Sequence, residues 1–143
     1  MTNSIQYVPG VCNIGEKEVT KRKRTGWIGL VIAVVLEMVL VATDASTLWQ
    51  LTLFFPAMIS TAGFLQAYME FCAYFGFASL FNFDDVGNAK QATGASSSRE
   101  DRRTAWMIVW FSIMAGALVA LTAYILRDSG WSTLSAIQQI PSI

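Results

Sequence analysis

GWIGLVIAVVLEMVLVAT, residues 26–43, decides how the rest of the chain is read. It holds eighteen residues with one charge, Glu37, close to the roughly 20 residues needed to cross about 30 Å of hydrocarbon at about 1.5 Å per residue. The composition around it agrees, with 54% of the 143 residues hydrophobic and only 14% charged, where soluble domains carry about 25% charged residues. Lipid, not water, is the expected main solvent.

Upstream lie Lys17, Lys21, Arg22, Lys23 and Arg24. Asn13 followed by Glu16 has the spacing of an N-cap with its reciprocal partner, and Glu18 precedes Arg22 by four residues, so a helix is expected from near Ile14. Residues 1–25 form an N-terminal segment. Its first dozen residues are polar, contain Pro9 and Gly10, and lack the early apolar core of a cleaved signal peptide. The run over 26–43 therefore reads as a permanent signal anchor.

Downstream, the short Asp44-Ala45-Ser46 turn sends the next apolar segment back antiparallel. From Thr47 to Phe83 there are 37 residues, which as one helix would reach about 55 Å and overshoot the bilayer core. The expectation is one span over 48–69, kinked at Pro56. An aromatic helix over 70–83, containing FCAYFGFASLFNF, would follow, bending near Gly76 and lying in the interface. Residues 84–103, rich in Gly, Ala, Ser and charge, read as a solvated loop, with Ser98 and Asp101 as a second capping pair. A third span follows over 104–126, and the tail 127–143 is anchored by Trp131. The fold class expected is all-α, a single integral membrane domain over 1–143. It has three transmembrane helices and a long kinked second helix or interfacial extension.

Orientation follows from counting Lys and Arg by side. With Lys90, Arg99, Arg102 and Arg103 in the second loop, nine of the ten basic residues share one face and only Arg127 lies opposite. The N-terminus is then cytoplasmic and the C-terminus on the outer face of a cell membrane. The tryptophans fit: Trp27 and Trp106 at the inner ends, Trp49 and Trp131 at the outer ends, and Trp110 one turn deeper.

The sequence holds no His, which removes the commonest metal ligand and the residue most used for acid–base work near neutral pH. No catalytic residue, metal or cofactor is expected, and an enzyme is disfavoured. Glu37, alone inside a span, would cost about 2.5–3.5 kcal/mol on insertion scales unless neutralised or paired. It is either a proton or cation site, an inter-subunit contact, or a carboxyl hydrogen-bonded within the bundle, with Thr52 or Arg127 as partners. Cys12 and Cys72 both fall on the cytoplasmic side. They are a possible dithiol pair or, more simply, structural thiols, since no CxxC pattern or neighbouring His activates them. Gln66 and Glu70, one turn apart near Tyr74, suggest a polar cluster or plain interfacial solvation. On the third span Ser112, Gly116 and Ala120 recur every four residues, with Ala123 nearby, a stripe that lets helices approach within the chain or between subunits. The KRKR run at 21–24 sits where anionic lipid attracts it. Nucleic-acid binding is not expected, because the aromatics lie in the bilayer.

The segments CNIGEKEV, GWIGL, FFP, LQAYMEFCAYFGFASLFNF and REDRR resemble a group of small uncharacterised bacterial integral membrane proteins. These carry a Cys-Asn-x-Gly-x-x-Glu start and a Phe-Cys-x-x-[Phe/Tyr]-Gly…Phe-Asn-Phe segment. The resemblance implies a membrane protein without known chemistry. It also implies that Cys12, Asn13, Gly15, Glu16, Gln66, Cys72, Gly76, Asn82 and Phe83 meet in one cytoplasmic-face unit.

The function expected is that of an accessory or scaffold subunit of a homo- or hetero-oligomeric membrane complex. Its partners are the lipid bilayer and other membrane subunits or copies of itself. Two alternatives stand beside it: an oligomeric small-ion or proton transporter or channel using Glu37, and a thiol-redox membrane protein using Cys12 and Cys72.

Overall fold

The computed structural model describes residues 7–84, 88–91 and 94–129. In chain order it contains α1 (Glu16–Ala42), a 3-10 segment (Thr47–Leu53), α2 (Phe54–Tyr68), α3 (Ala73–Ala78), β1 (Leu80–Phe81), β2 (Lys90–Gln91) and α4 (Ala95–Asp128). Among the described residues, three stretches are long and apolar enough to cross a membrane: Glu16–Ala42, Thr47–Tyr68 and Ser96–Asp128. Their side chains are mostly not buried within the chain, and Trp27, Val31, Met38, Trp110, Met114 and Leu118 are each more than half exposed. An apolar surface of that extent is an aggregation liability in water and an ordinary boundary in lipid.

The middle span makes the bundle. Both α1 and α4 pack on the 3-10 segment and α2, and they barely touch each other. Burial of oil against oil gives little drive within lipid, so the α1–α2 contact relies on close backbone approach. Gly63 faces Gly26 so tightly that a methyl group on Gly63 would run into the α1 backbone, and one on Gly26 into the Phe64 ring. Ser60 Oγ donates to the Gly26 carbonyl at 2.9 Å. At the far end Arg127 Nη2 donates to Asp44 Oδ1 at 2.5 Å and to the Ala45 carbonyl at 3.2 Å, tying the first turn to the end of α4.

Pro56 falls just after a change of helix type. The span starts as seven residues of 3-10 helix and turns α at Phe54, so Pro56 stands in the first α turn, where its missing donor is least needed. The 22 residues then cover about 36 Å, because a 3-10 turn rises about 2.0 Å per residue.

Residues 70–83 do not form one interfacial helix. The chain turns at Glu70, whose φ is 51°, runs through Phe71 and Cys72, and forms only the six-residue α3 before β1. Gly76 is not the bend: it sits inside α3, against the Phe71 ring and the Asp101 carbonyl. Nor does the segment lie flat, because Phe71, Cys72, Ala73 and Phe75 are buried. The loop expected over 84–103 is shorter, since α4 starts at Ala95. The all-α expectation also gives way to a small antiparallel pair, with Leu80 opposite Gln91 and Phe81 opposite Lys90. The tail beyond Ser129, with Trp131, lies outside the described residues.

A head results at the basic end of the bundle. Most of the fully buried larger side chains, Phe71, Ile14, Ile108, Asn13, Asn82, Asp101 and Cys72, belong to it. The division has a general physical reason: helices apolar enough for lipid need bury little, whereas a water-bathed part must bury its own core.

Candidate functional site

The head is closed by polar side chains that act as clamps. Asn13, fully buried, pairs both ways with the Cys72 backbone: Nδ2 donates to the Cys72 carbonyl at 3.1 Å, and the Cys72 N–H donates to Oδ1 at 2.7 Å. Its own N–H donates to the Glu70 carbonyl at 3.2 Å, and its carbonyl accepts from Asn82 N–H at 2.9 Å. Gly15 N–H donates to the Asn82 carbonyl at 2.7 Å. Asn13 therefore does not cap α1, which starts at Glu16 after Gly15 without any side-chain cap. The amide imitates a strand's peptide group and ties residues 12–15 to residues 70–72 and 82.

A second clamp holds the first described residues to α4. Asp101, fully buried, accepts from Tyr7 OH at 2.7 Å and from Gly10 N–H at 2.6 Å, while Thr104 Oγ1 donates to the Gly10 carbonyl at 2.7 Å. Val8 to Cys12 forms a tight turn in which Gly10 takes φ 70° after Pro9, a conformation that favours glycine. Tyr7 also stacks on Phe81, ring centroids 5.0 Å apart. Burial, followed by the hydrogen bond to Asp101 and that group's charge, pushes the Tyr7 phenol up to about 12. Asp101 is thus not the capping partner of Ser98, whose hydroxyl instead meets that of Ser79 at 2.6 Å. Tyr7, Asp101 and Thr104 were missed as a set by sequence reasoning. The Pro9-Gly10 turn was the available signal, and nothing linked it to a carboxylate more than ninety residues away.

The structure brings Cys12 and Cys72 into the same head, both free, in different surroundings. Cys12 Sγ lies 3.7 Å from the Ile14 carbonyl and 3.8 Å from Glu70 Oε2, and burial, then the Glu70 charge, pushes its thiol up. Cys72 Sγ accepts from Arg22 Nη2 at 3.0 Å, and Arg22 lies 3.9 Å from the buried Glu18. Gln66 and Glu70 do not build a shared polar cluster with Tyr74. Gln66 Oε1 accepts from Ala73 N–H at 3.2 Å, Glu70 marks the turn, and Tyr74 is exposed. Glu16 is exposed at the rim of a small hollow with Lys17, Phe83 and Asp84.

The stripe on α4 is already occupied. Ser112 and Ala120 are buried, and a methyl group on Gly116 would come within 2.8 Å of the Phe54 carbonyl. It packs on the middle span of its own chain and is not free for another subunit.

Glu37 lies between α1 and α4 with Oε2 buried and without a hydrogen-bond partner among the described residues. Neither partner expected for it is engaged with it. Arg127 is taken by Asp44, and Thr52 Oγ1 donates to the Trp49 carbonyl at 2.6 Å. Nearer the far end, Gln50 is buried with both amide atoms unpartnered. No group of three or more potential metal ligands occurs among the described residues. Comparison with protein families, curated proteins and solved structures finds no match for this chain.

Proposed function

We propose that this chain is a small membrane-anchored scaffold, an accessory subunit of a larger membrane complex that works through its head. Nine of its ten basic residues stand at the head end, which by the positive-inside tendency puts the head in the cytoplasm and the end of α4 on the outer face. The observation that carries the reading is the construction of the head. Buried side-chain clamps hold it in one arrangement, and it presents Val8, Val11 and Tyr74 to solvent, with Val11 62% and Tyr74 68% exposed. An exposed tyrosine such as Tyr74 is of the residue type enriched at interface hot spots, and the two valines add apolar surface to the head. The route to a partner is the head, since the α4 stripe is used internally.

Purification in mild detergent from its own membrane tests this. A companion in fixed stoichiometry, lost from Val11→Asp and Tyr74→Ala variants that keep their fold, is expected. A monodisperse lone monomer would contradict the reading.

A second reading, a small-ion or proton carrier, draws on the buried and unpartnered Oε2 of Glu37. Ion and proton flux in liposomes should then fall in Glu37→Gln, and unchanged flux removes it. The thiol-redox reading gains no such support, since both thiols are buried and Cys12 is pushed toward its inert protonated form.

A further inference from the structure

The groove between α1 and α4 is a cavity of about 590 Å³, walled by Leu30, Val34 and Met38 on one side and Leu118, Val119 and Leu126 on the other, with Leu53 and Glu37 also lining it. The six wall residues are all substantially exposed, so the groove opens sideways at span depth, toward acyl chains. The volume falls within the roughly 300–1,000 Å³ typical of pockets for drug-sized molecules, which combine apolar walls with a few polar groups. Glu37 is the sole acid lining it, and its Oε2 is buried with no partner.

The chain cannot supply the countercharge. No Lys or Arg occurs between residues 25 and 89, nor between 104 and 126. The one basic residue at the far end, Arg127, is held by Asp44 and the Ala45 carbonyl. A plain acyl chain fills the volume and leaves the carboxyl unanswered, as would any neutral hydrocarbon. In lipid an ionised carboxylate demands a partner. We propose that this groove is a binding site for a hydrophobic monocation, an amine or quaternary onium with an apolar body, which reaches it from the bilayer and pairs with Glu37. The site is independent of any partner at the head.

The test uses the purified full chain in lipid nanodiscs and three probes of similar size: tetraphenylphosphonium, tetraphenylborate and neutral triphenylphosphine oxide. Binding is measured above partitioning into empty nanodiscs. The cation is expected to saturate at one per chain, with the anion and the neutral probe at least tenfold weaker. Glu37→Gln, a neutral near-isostere, should weaken the cation at least tenfold while leaving the elution profile unchanged. If Glu37→Gln does not fold, Ala123→Phe, which fills the groove and keeps the acid, should abolish cation binding. Equal binding of cation and neutral probe, cation binding indifferent to these substitutions, or no saturable binding at all would each overturn the proposal.

Discussion

Single residues carry the head, and Asn13 carries most. Removing its amide leaves the buried Cys72 N–H without a partner and takes one of two donors from the Cys72 carbonyl, which keeps Gly76 N–H, a loss of about 1–3 kcal/mol. That loss corresponds to an opening equilibrium raised about 5- to 150-fold. Since Cys12 and Cys72 are both buried, Asn13→Ala should speed their alkylation by that factor, and an unchanged rate would contradict the clamp. Tyr7 gives a pH test. Its phenol is raised in the folded head to about 12 from 10.0, so folding favours the protonated form. The stabilisation from this group is whole below pH 10 and fades as pH rises toward 12. Release of the head, read as alkylation beyond the rise that thiol ionisation itself brings, is expected in that window, and the excess should be absent from Tyr7→Phe, where the phenol cannot ionise. The sequence displayed Asn13 as a cap because a capping box is a local pattern. Its real partner lies fifty-nine residues away, a distance at which spacing rules say nothing.

Helices were legible because their cause is local: eighteen residues with a single charge leave lipid few other solutions. The presence of three long apolar helices and the turn at Asp44 could be read this way, whereas α4 starts at Ala95, well before the expected 104. What hid was the choice of contacts. The α4 stripe advertised close packing without saying against what, and the tighter crossing, Gly26 and Gly29 of α1 against Ser60 and Gly63 of α2, was overlooked although its small residues recur at three-residue spacing. Gly63→Ala should therefore lower the thermal stability of the detergent-solubilised monomer by about 1–3 kcal/mol, the usual range for overpacking a filled contact. Gly116→Leu should likewise destabilise the monomer without altering its association state. A change of oligomer with an unaltered monomer would return the stripe to the subunit surface. The segment after Tyr68 was misjudged for a related reason. Its aromatics suit an interface in composition, but the positive φ at Glu70 and the clamps on Cys72 turn them into the core of the head.

As a whole, the molecule divides in two: three helices long and apolar enough to cross a membrane, and a head that buries its own core. The basic residues gather at the head end, and Arg127 stands with Asp44 at the other. The proposed sites at Glu37 and at the head both require that the helices cross the membrane and that the head stand outside it. That arrangement is tested most directly by single cysteines placed at exposed positions on the two ends, Glu100→Cys and Ser129→Cys, probed with a membrane-impermeant maleimide in intact cells. The account expects Ser129→Cys to react at once and Glu100→Cys only after permeabilisation. Reaction of both from the same side would contradict it.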